Sequence, residues 1–133
     1  NYISNTSERI SLYRELDDIK NKEELKIFEE KLRDRFGEIP LETKDLLIAV
    51  KTRFLAIFLG FEKVVLKNNQ LIAYFTTHPL YYQTEIFGKI LLYLQKESKK
   101  TQLREVNEKR SILIQKVENI NEAYAIFKDI IDS

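Results

Sequence analysis

A chain of 133 residues is long enough for one domain, and at 44% hydrophobic and 32% charged it is too apolar to be a disordered segment. With three glycines and two prolines it favours long helices over a turn-rich sandwich, and its lack of cysteine excludes disulfides, thiolate nucleophiles and sulfur-ligated zinc, which fits a reducing compartment. The formal net charge of +1 gives no global field to draw in nucleic acid or an anionic membrane, and no apolar run is long enough to span a bilayer. The N-terminus NYISNTSERI has neither the basic start nor the apolar stretch of a signal peptide. Starting at Asn1 and lacking methionine, the sequence reads as a domain excised from a longer protein.

Ile10, Leu12, Tyr13, Leu16 and Ile19 recur at helical spacing, with a capping box expected at Asn5 to Glu8. Asn21 and Glu24 repeat that arrangement ahead of a second helix, whose core stripe of Leu25, Phe28, Leu32 and Phe36 runs to Gly37. Glycine there suits the left-handed conformation that closes a helix, and Phe36 is expected to pack beneath the turn. Pro40 suits a first helical turn, so a third helix is expected from there to Gly60. Its broad stripe of Leu46, Leu47, Val50, Phe54, Ile57 and Phe58 makes it the most apolar helix and the expected centre of the domain. A fully buried Phe54 ring implies a cost of about 3–5 kcal/mol for truncation to alanine.

Beyond Gly60 the pattern changes to β-branched and aromatic residues. Val64 to Leu66 and Leu71 to Phe75 flank Asn68-Asn69, a plausible type I′ turn because asparagine tolerates positive φ. Thr77-His78-Pro79 breaks the strand, and Thr84 caps a fourth helix bearing Ile86, Phe87, Ile90, Leu91 and Leu94 and ending near Ser98. A second hairpin is expected from Leu103 to Val106 and Ile112 to Val117, across polar Asn107-Glu108-Lys109. Asn119 and Glu122 cap a fifth helix carrying Ala123, Ile126, Phe127 and Ile130. The expected fold is thus α+β: about five amphipathic helices packed against a small antiparallel sheet of two β-hairpins, in a single domain over 1–133 with no linker or repeat.

Little in the sequence points to catalysis. The three glycines are too scattered for a phosphate loop, and His78, the only imidazole, precedes proline and reads as a turn residue. Asp17-Asp18, Glu23-Glu24 and Glu29-Glu30 alternate with Lys20, Lys22, Lys26 and Lys31, as on a solvated helix face rather than in a converging acid pair. No catalytic, cofactor-binding or metal-ligating residue is therefore assigned.

The basic stretch Lys96, Lys99, Lys100, Arg104, Lys109 and Arg110, partly offset by Glu97, Glu105 and Glu108, reads as protection of connections and edge strands against aggregation, with phosphate contact as the rival reading. Tyr81-Tyr82 reads as cover for the core rim, with stacking on a base or partner as the rival. The helix-helix-hairpin order also suggests a winged-helix-like nucleic-acid-binding module. Lys44, Lys51 and Arg53 on the would-be recognition helix are balanced by Glu42 and Asp45 and form no base-reading stripe, which ranks that alternative below a protein-binding module.

Several of these residues together resemble the C-terminal (TRCF) domain of bacterial transcription-repair coupling factors, the Mfd family. The carriers are Arg9-Ile10 with Tyr13, Glu24-Leu25, Leu32-x-x-Arg35-Phe36-Gly37-x-x-Pro40, Leu46-Leu47 and Leu59-Gly60-Phe61-x-Lys63, with Tyr2-Ile3 as a similar lead-in. Phe61 stands where the family pattern leads one to expect a smaller aliphatic residue, and the match is looser after Thr76. The resemblance implies a place in a large cytoplasmic ATP-driven DNA translocase that removes stalled RNA polymerase and recruits the excision-repair protein UvrA. ATP, magnesium and DNA contacts would then belong to the parent's motor, with no cofactor in this domain. The domain itself would be a non-catalytic clasp that docks on the N-terminal UvrA-binding module, masks it and restrains the motor. In the matched motif, Phe36, Gly37 and Pro40 are expected to shape the helix junction, and Arg35 to be a structural donor or a partner contact. A releasable clasp needs a modest polar interface whose two states differ by a few kcal/mol, and charged, non-sticky helix faces suit that.

Overall fold

The computed structural model describes residues 6–38 and 41–133, and its contacts fall into two compact units, Asn1–Phe54 and Leu55–Ser133, each with its own apolar core. The expected Asn5 to Glu8 cap, the Tyr2-Ile3 lead-in, the Pro40 helix start and the side chains of Ile10 and Tyr13 lie outside what is described.

The first unit is helical, with α1 (Thr6–Asp17), α2 (Lys22–Phe36) and the greater part of α3 (Leu41–Leu59). Asn21 opens α2 as its chemistry dictates: Oδ1 accepts the Glu24 N–H at 2.9 Å, satisfying one of the four amides a helix start leaves free. Leu12, Leu16 and Ile19 meet Leu25, Phe28 and Leu32 of α2 and Leu47 and Val50 of α3, with Phe36 and Phe54 half-buried against them. Leu25 and Leu32 are at most 2% exposed, and burial of such a side chain stabilises by about 1.5–3 kcal/mol. Gly37 ends α2 with its N–H on the Arg33 carbonyl. Its φ of +85° fits the expected need for glycine, but its ψ of −146° lies outside the left-handed helical well, in a region essentially reserved for glycine.

The second unit takes the last turn of α3 and adds a four-stranded antiparallel sheet, α4 (Glu85–Lys96) and α5 (Ile120–Asp132). Strands β1 (Phe61–Lys67), β2 (Gln70–Phe75), β3 (Thr101–Val106) and β4 (Lys109–Gln115) stand in the order β1-β2-β4-β3, so two hairpins are joined at a β2–β4 seam. Asn68 and Asn69 have φ of 55° and 59°, which makes the first turn type I′ and fixes Lys67 opposite Gln70. Leu71, Ala73 and Phe75 of β2 and Ile112 and Ile114 of β4 form one sheet face, packed on Leu55, Ala56 and Leu59 of α3, Ile90 and Tyr93 of α4, and Ala123, Phe127 and Ile130 of α5. Phe61 is only 4% exposed: its large ring fills the core beside Phe75 and Phe127, with centroids 5.2 and 5.5 Å away.

Thr84 caps α4 by accepting the Phe87 N–H, and Asn119 caps α5 by accepting the Glu122 N–H at 3.0 Å. Glu122 returns to the Glu118 N–H at 3.3 Å, one residue earlier than a standard capping box. A 3-10 turn, Pro79–Gln83, connects β2 to α4 and carries Tyr81, whose hydroxyl donates to the Leu59 carbonyl at the end of α3. Gly60, at φ +89°, lies directly under that ring.

The structure corrects the expected burial at several points. Leu46, Ile57 and Phe58 are exposed (39%, 63% and 58%), whereas Leu55, Ala56 and Leu59, outside the expected stripe, are buried. Ile57 and Phe58 prolong the Leu47, Val50, Phe54 spacing by one turn, past the residues that make the first core. Phe54 is half-buried rather than fully buried. On α4, Leu91 is exposed and Tyr93 takes the buried place. The second hairpin turns on Asn107-Glu108 alone, with Lys109 already in β4 opposite Val106, and β4 stops at Gln115 because Lys116 has a φ of 62°.

Candidate interaction surfaces

The residues singled out for chemistry do not converge. His78 is exposed at the start of the 3-10 turn, where its Nδ1 accepts the Leu80 N–H at 3.2 Å, so the imidazole serves as a cap. The paired acids of the helical unit lie on solvated faces: Lys31 Nζ is 2.8 Å from Glu15 Oε1 and Lys51 Nζ 3.3 Å from Glu29 Oε1, surface pairs worth about 0–1 kcal/mol. No group of three potential metal ligands occurs among the described residues.

Two of the three cations of the would-be recognition helix are turned to structural use, while Lys44 is exposed. Lys51 pairs with Glu29, and Arg53 donates to the Ile19 carbonyl at 3.3 Å with its guanidinium 5.8 Å from the Phe54 ring centre. In the family-like motif, the Arg35 guanidinium lies 5.2 Å from the centre of the Phe36 ring. Tyr81 and Tyr82 form the core rim. Tyr81 is 9% exposed, and burial raises its phenol pKa, with Tyr82 adding to the shift. Tyr82 is half-buried, donates to the Thr76 carbonyl, and stands edge-on to Phe87 at 4.9 Å. Tyr93 is likewise pushed up to about 12, by burial first and then by Glu97 and Asp129.

The basic stretch divides. Arg110 is drawn onto the Tyr82 ring, 4.5 Å from its centre, with Glu105 3.9 Å away. Lys96, Lys99, Lys100 and Arg104 make no ion pair among the described residues; Lys96, Lys99 and Arg104 are exposed and Lys100 is half-buried. An open groove of about 970 Å³ at one end of the sheet has Lys63, Tyr74, Phe75, Tyr82, Glu105 and Arg110 among its lining residues. Glu62, Glu105 and Glu108 face Lys63, Lys109 and Arg110 around its rim, a balance that does not favour a polyanion. A smaller hollow of about 260 Å³ in the helical unit has Ile19, Ile27 and Phe28 beside the Glu15–Lys31 pair.

The basic stretch reads as guarding connections and edge strands, and β3 is an edge strand; what sequence reasoning missed is that its apolar residues Leu103 and Val106 are 50% and 60% exposed. The hairpin arm Leu103 to Val106 was visible, but which strand it leaves at the edge depends on the β2–β4 seam, which no local signal marks.

These features define a small α+β domain whose notable surfaces are grooves and a strand edge. The chain belongs to the TRCF domain family, whose profile matches residues 1–86. It is 28% identical over 106 residues to the transcription-repair-coupling factor of Rickettsia prowazekii, covering 80% of this chain and 9% of that protein. It is 29% identical over 94 residues to that of Rickettsia bellii, covering 71% and 8%. The chain thus spans less than a tenth of these relatives. The crystal structure of the C-terminal domain of a transcription-repair coupling factor has the same fold, with a TM-score of 0.73 at 20% identity over 98% of this chain and 83% of that one. No helix among the described residues is long and apolar enough to cross a membrane.

Proposed function

We propose that this chain is the C-terminal regulatory domain of a bacterial, cytoplasmic transcription-repair coupling factor, and that it works by binding protein rather than by catalysis. Its partner in this reading is the parent's N-terminal UvrA-binding module, which it masks while restraining the ATP-driven translocase. UvrA, RNA polymerase and DNA are then met only through the parent, and ATP and magnesium are held by the motor. The supporting observation is membership of the TRCF domain family together with a fold likeness that extends over 98% of the chain. A charge-balanced exterior agrees with it: 22 basic and 21 acidic residues suit reversible docking between states a few kcal/mol apart.

The test is to mix the purified chain with the N-terminal module of the same parent and follow heat and co-elution. Saturable binding at micromolar concentration is expected. Absence of heat and of co-elution at high micromolar concentration, with both pieces folded, refutes direct docking. Lys99, Lys100 and Arg104, without an ion pair among the described residues, favour a nucleic-acid-binding alternative, which requires salt-sensitive association with duplex DNA. A flat anisotropy titration at low salt removes it.

A further inference from the structure

We infer that the outward face of α4 is a self-association surface, on which a second copy of this chain lays its own α4 antiparallel, with Leu92 of each copy seated over Gly88 of the other. The inference is independent of the docking proposed above.

Only one side of α4 is buried. Ile90 and Tyr93 enter the core and Ile86, Phe87 and Leu94 pack against it, whereas Leu91 and Leu92 are 42% and 64% exposed. Gly88 lies one turn before Leu92, so at about 3.6 residues per turn the two share the outward face with Gln95. A glycine within a helix weakens it, and the fold does not require one here: a Cβ at Gly88 meets no atom of the described residues within 4 Å. What the missing side chain provides is a shallow hole in the helix surface, one turn from a protruding leucine. A hole and a knob at that spacing fit a second helix of the same sequence running the opposite way.

The flanks agree with this pairing. Leu91 lies to one side of the line from Gly88 to Leu92; Glu85 and Lys96, at opposite ends of the helix, lie to the other. A two-fold axis keeps like flanks adjacent and reverses their direction. Leu91 therefore meets Leu91 of the second copy near the axis, and Glu85 comes beside Lys96 of the second copy at both ends. Both charged groups are exposed, and neither makes an ion pair among the described residues. A parallel pair would set Glu85 against Glu85 and Lys96 against Lys96. The face thus specifies its own occupant, being self-complementary in shape and in charge. With the Lys89 amine on the Ile131 carbonyl, Lys96 is the one outward cation of α4, too little for a polyanion. A helix about 18 Å long buries less than the roughly 1,200 Å² of a stable interface, so association is weak and concentration-dependent.

Sedimentation equilibrium of the 133-residue chain from about 5 to about 500 μM tests this. The weight-average mass is expected to rise from 15.9 kDa towards twice that value. Gly88→Leu fills the hole, and Leu92→Glu charges the knob; each alters a position with open space or exposure, so the circular dichroism should be unchanged while association weakens at least about tenfold. Charge reversal gives a sharper readout. Glu85→Lys alone and Lys96→Glu alone each bring like charges together at both ends and should associate about five- to tenfold more weakly. An equimolar mixture of these two variants restores opposite charges at both ends and should recover the association. A purely structural effect of either substitution gives no such recovery. Association unchanged by Gly88→Leu or Leu92→Glu, or a mixture no tighter than its components, overturns the inference. A mass of one chain throughout overturns it as well and leaves the face to a different polypeptide.

Discussion

Gly60→Ala perturbs the join between α3 and β1 in two separable ways. The residue has a φ of +89°, where an L side chain costs about 1–2 kcal/mol. A Cβ there would also stand 2.0 Å from Tyr81 Cε1, with Cζ at 2.6 Å and Cδ1 at 2.7 Å, so the ring must move. Displacing a well-packed ring costs about 1–3 kcal/mol, and the Tyr81 hydroxyl is tied to the Leu59 carbonyl, a bond worth about 0.5–1.5 kcal/mol that displacement strains or breaks. Together these come to about 2.5–6.5 kcal/mol, a large share of the roughly 5–15 kcal/mol by which domains are stable. Urea unfolding followed by circular dichroism measures it, with Gly88→Ala as control. Gly88 is in α4 with open space at its Cβ, and alanine there is expected to stabilise by about 0.5–1 kcal/mol. In a Tyr81→Leu background the clash is relieved, and Gly60→Ala should then cost only the backbone part, about 1–2 kcal/mol. A cost below about 1 kcal/mol in the parent chain, or the same cost in both backgrounds, refutes the reasoning.

The remaining predictions concern caps, turns, a ring and a phenol. Asn119→Ala is expected to cost about 1 kcal/mol in urea unfolding, since it strips the Glu122 N–H of its acceptor. Glu108→Gly should stabilise by about 0.5–1 kcal/mol on the same assay, because Glu108 holds a φ of 66° in a two-residue hairpin turn that glycine suits better. Phe54→Ala should cost about 1–2 kcal/mol, below the range for a fully buried ring, because Phe54 is half-buried. Tyr93 titrates at about 12 in the folded chain against an ordinary 10.0, so the folded state holds the proton more tightly. The unfolded chain therefore ionises first, and stability is fully present below about pH 10 and falls as pH rises through about 12. Spectrophotometric titration beside circular dichroism checks this: a Tyr93 that ionises near pH 10 with the fold intact contradicts it.

Local chemistry made most of the elements legible. The Asn21, Thr84 and Asn119 caps and the Asn68-Asn69 turn each follow from a side chain acting on backbone within three residues of it, and each is present. The α+β class and the two hairpins followed from them. Periodicity failed where one stripe outran the core it served: it carried the α3 pattern on to Ile57 and Phe58, which are exposed, and passed over Leu55 and Leu59. The division of contacts at Phe54 and Leu55 falls inside a continuous helix, where no glycine, proline or polar run could announce it. Tyr93 was passed over because a tyrosine reads as amphipathic, yet its ring is 7% exposed. The resemblance identified the family without any surface residue to go with it. The β3 edge needed the strand order, which is a property of long-range pairing.

That strand order also bears on how the sheet comes together. Each hairpin turns on two residues and can close on itself within about 1–10 μs. The β2–β4 seam, where Ala73 faces Ile112, must wait for the chain to fold back across the 3-10 turn, α4 and β3. Closing that long loop is an entropic toll not repaid until the seam's contacts form, so zippering of the central pair should limit the rate of sheet assembly.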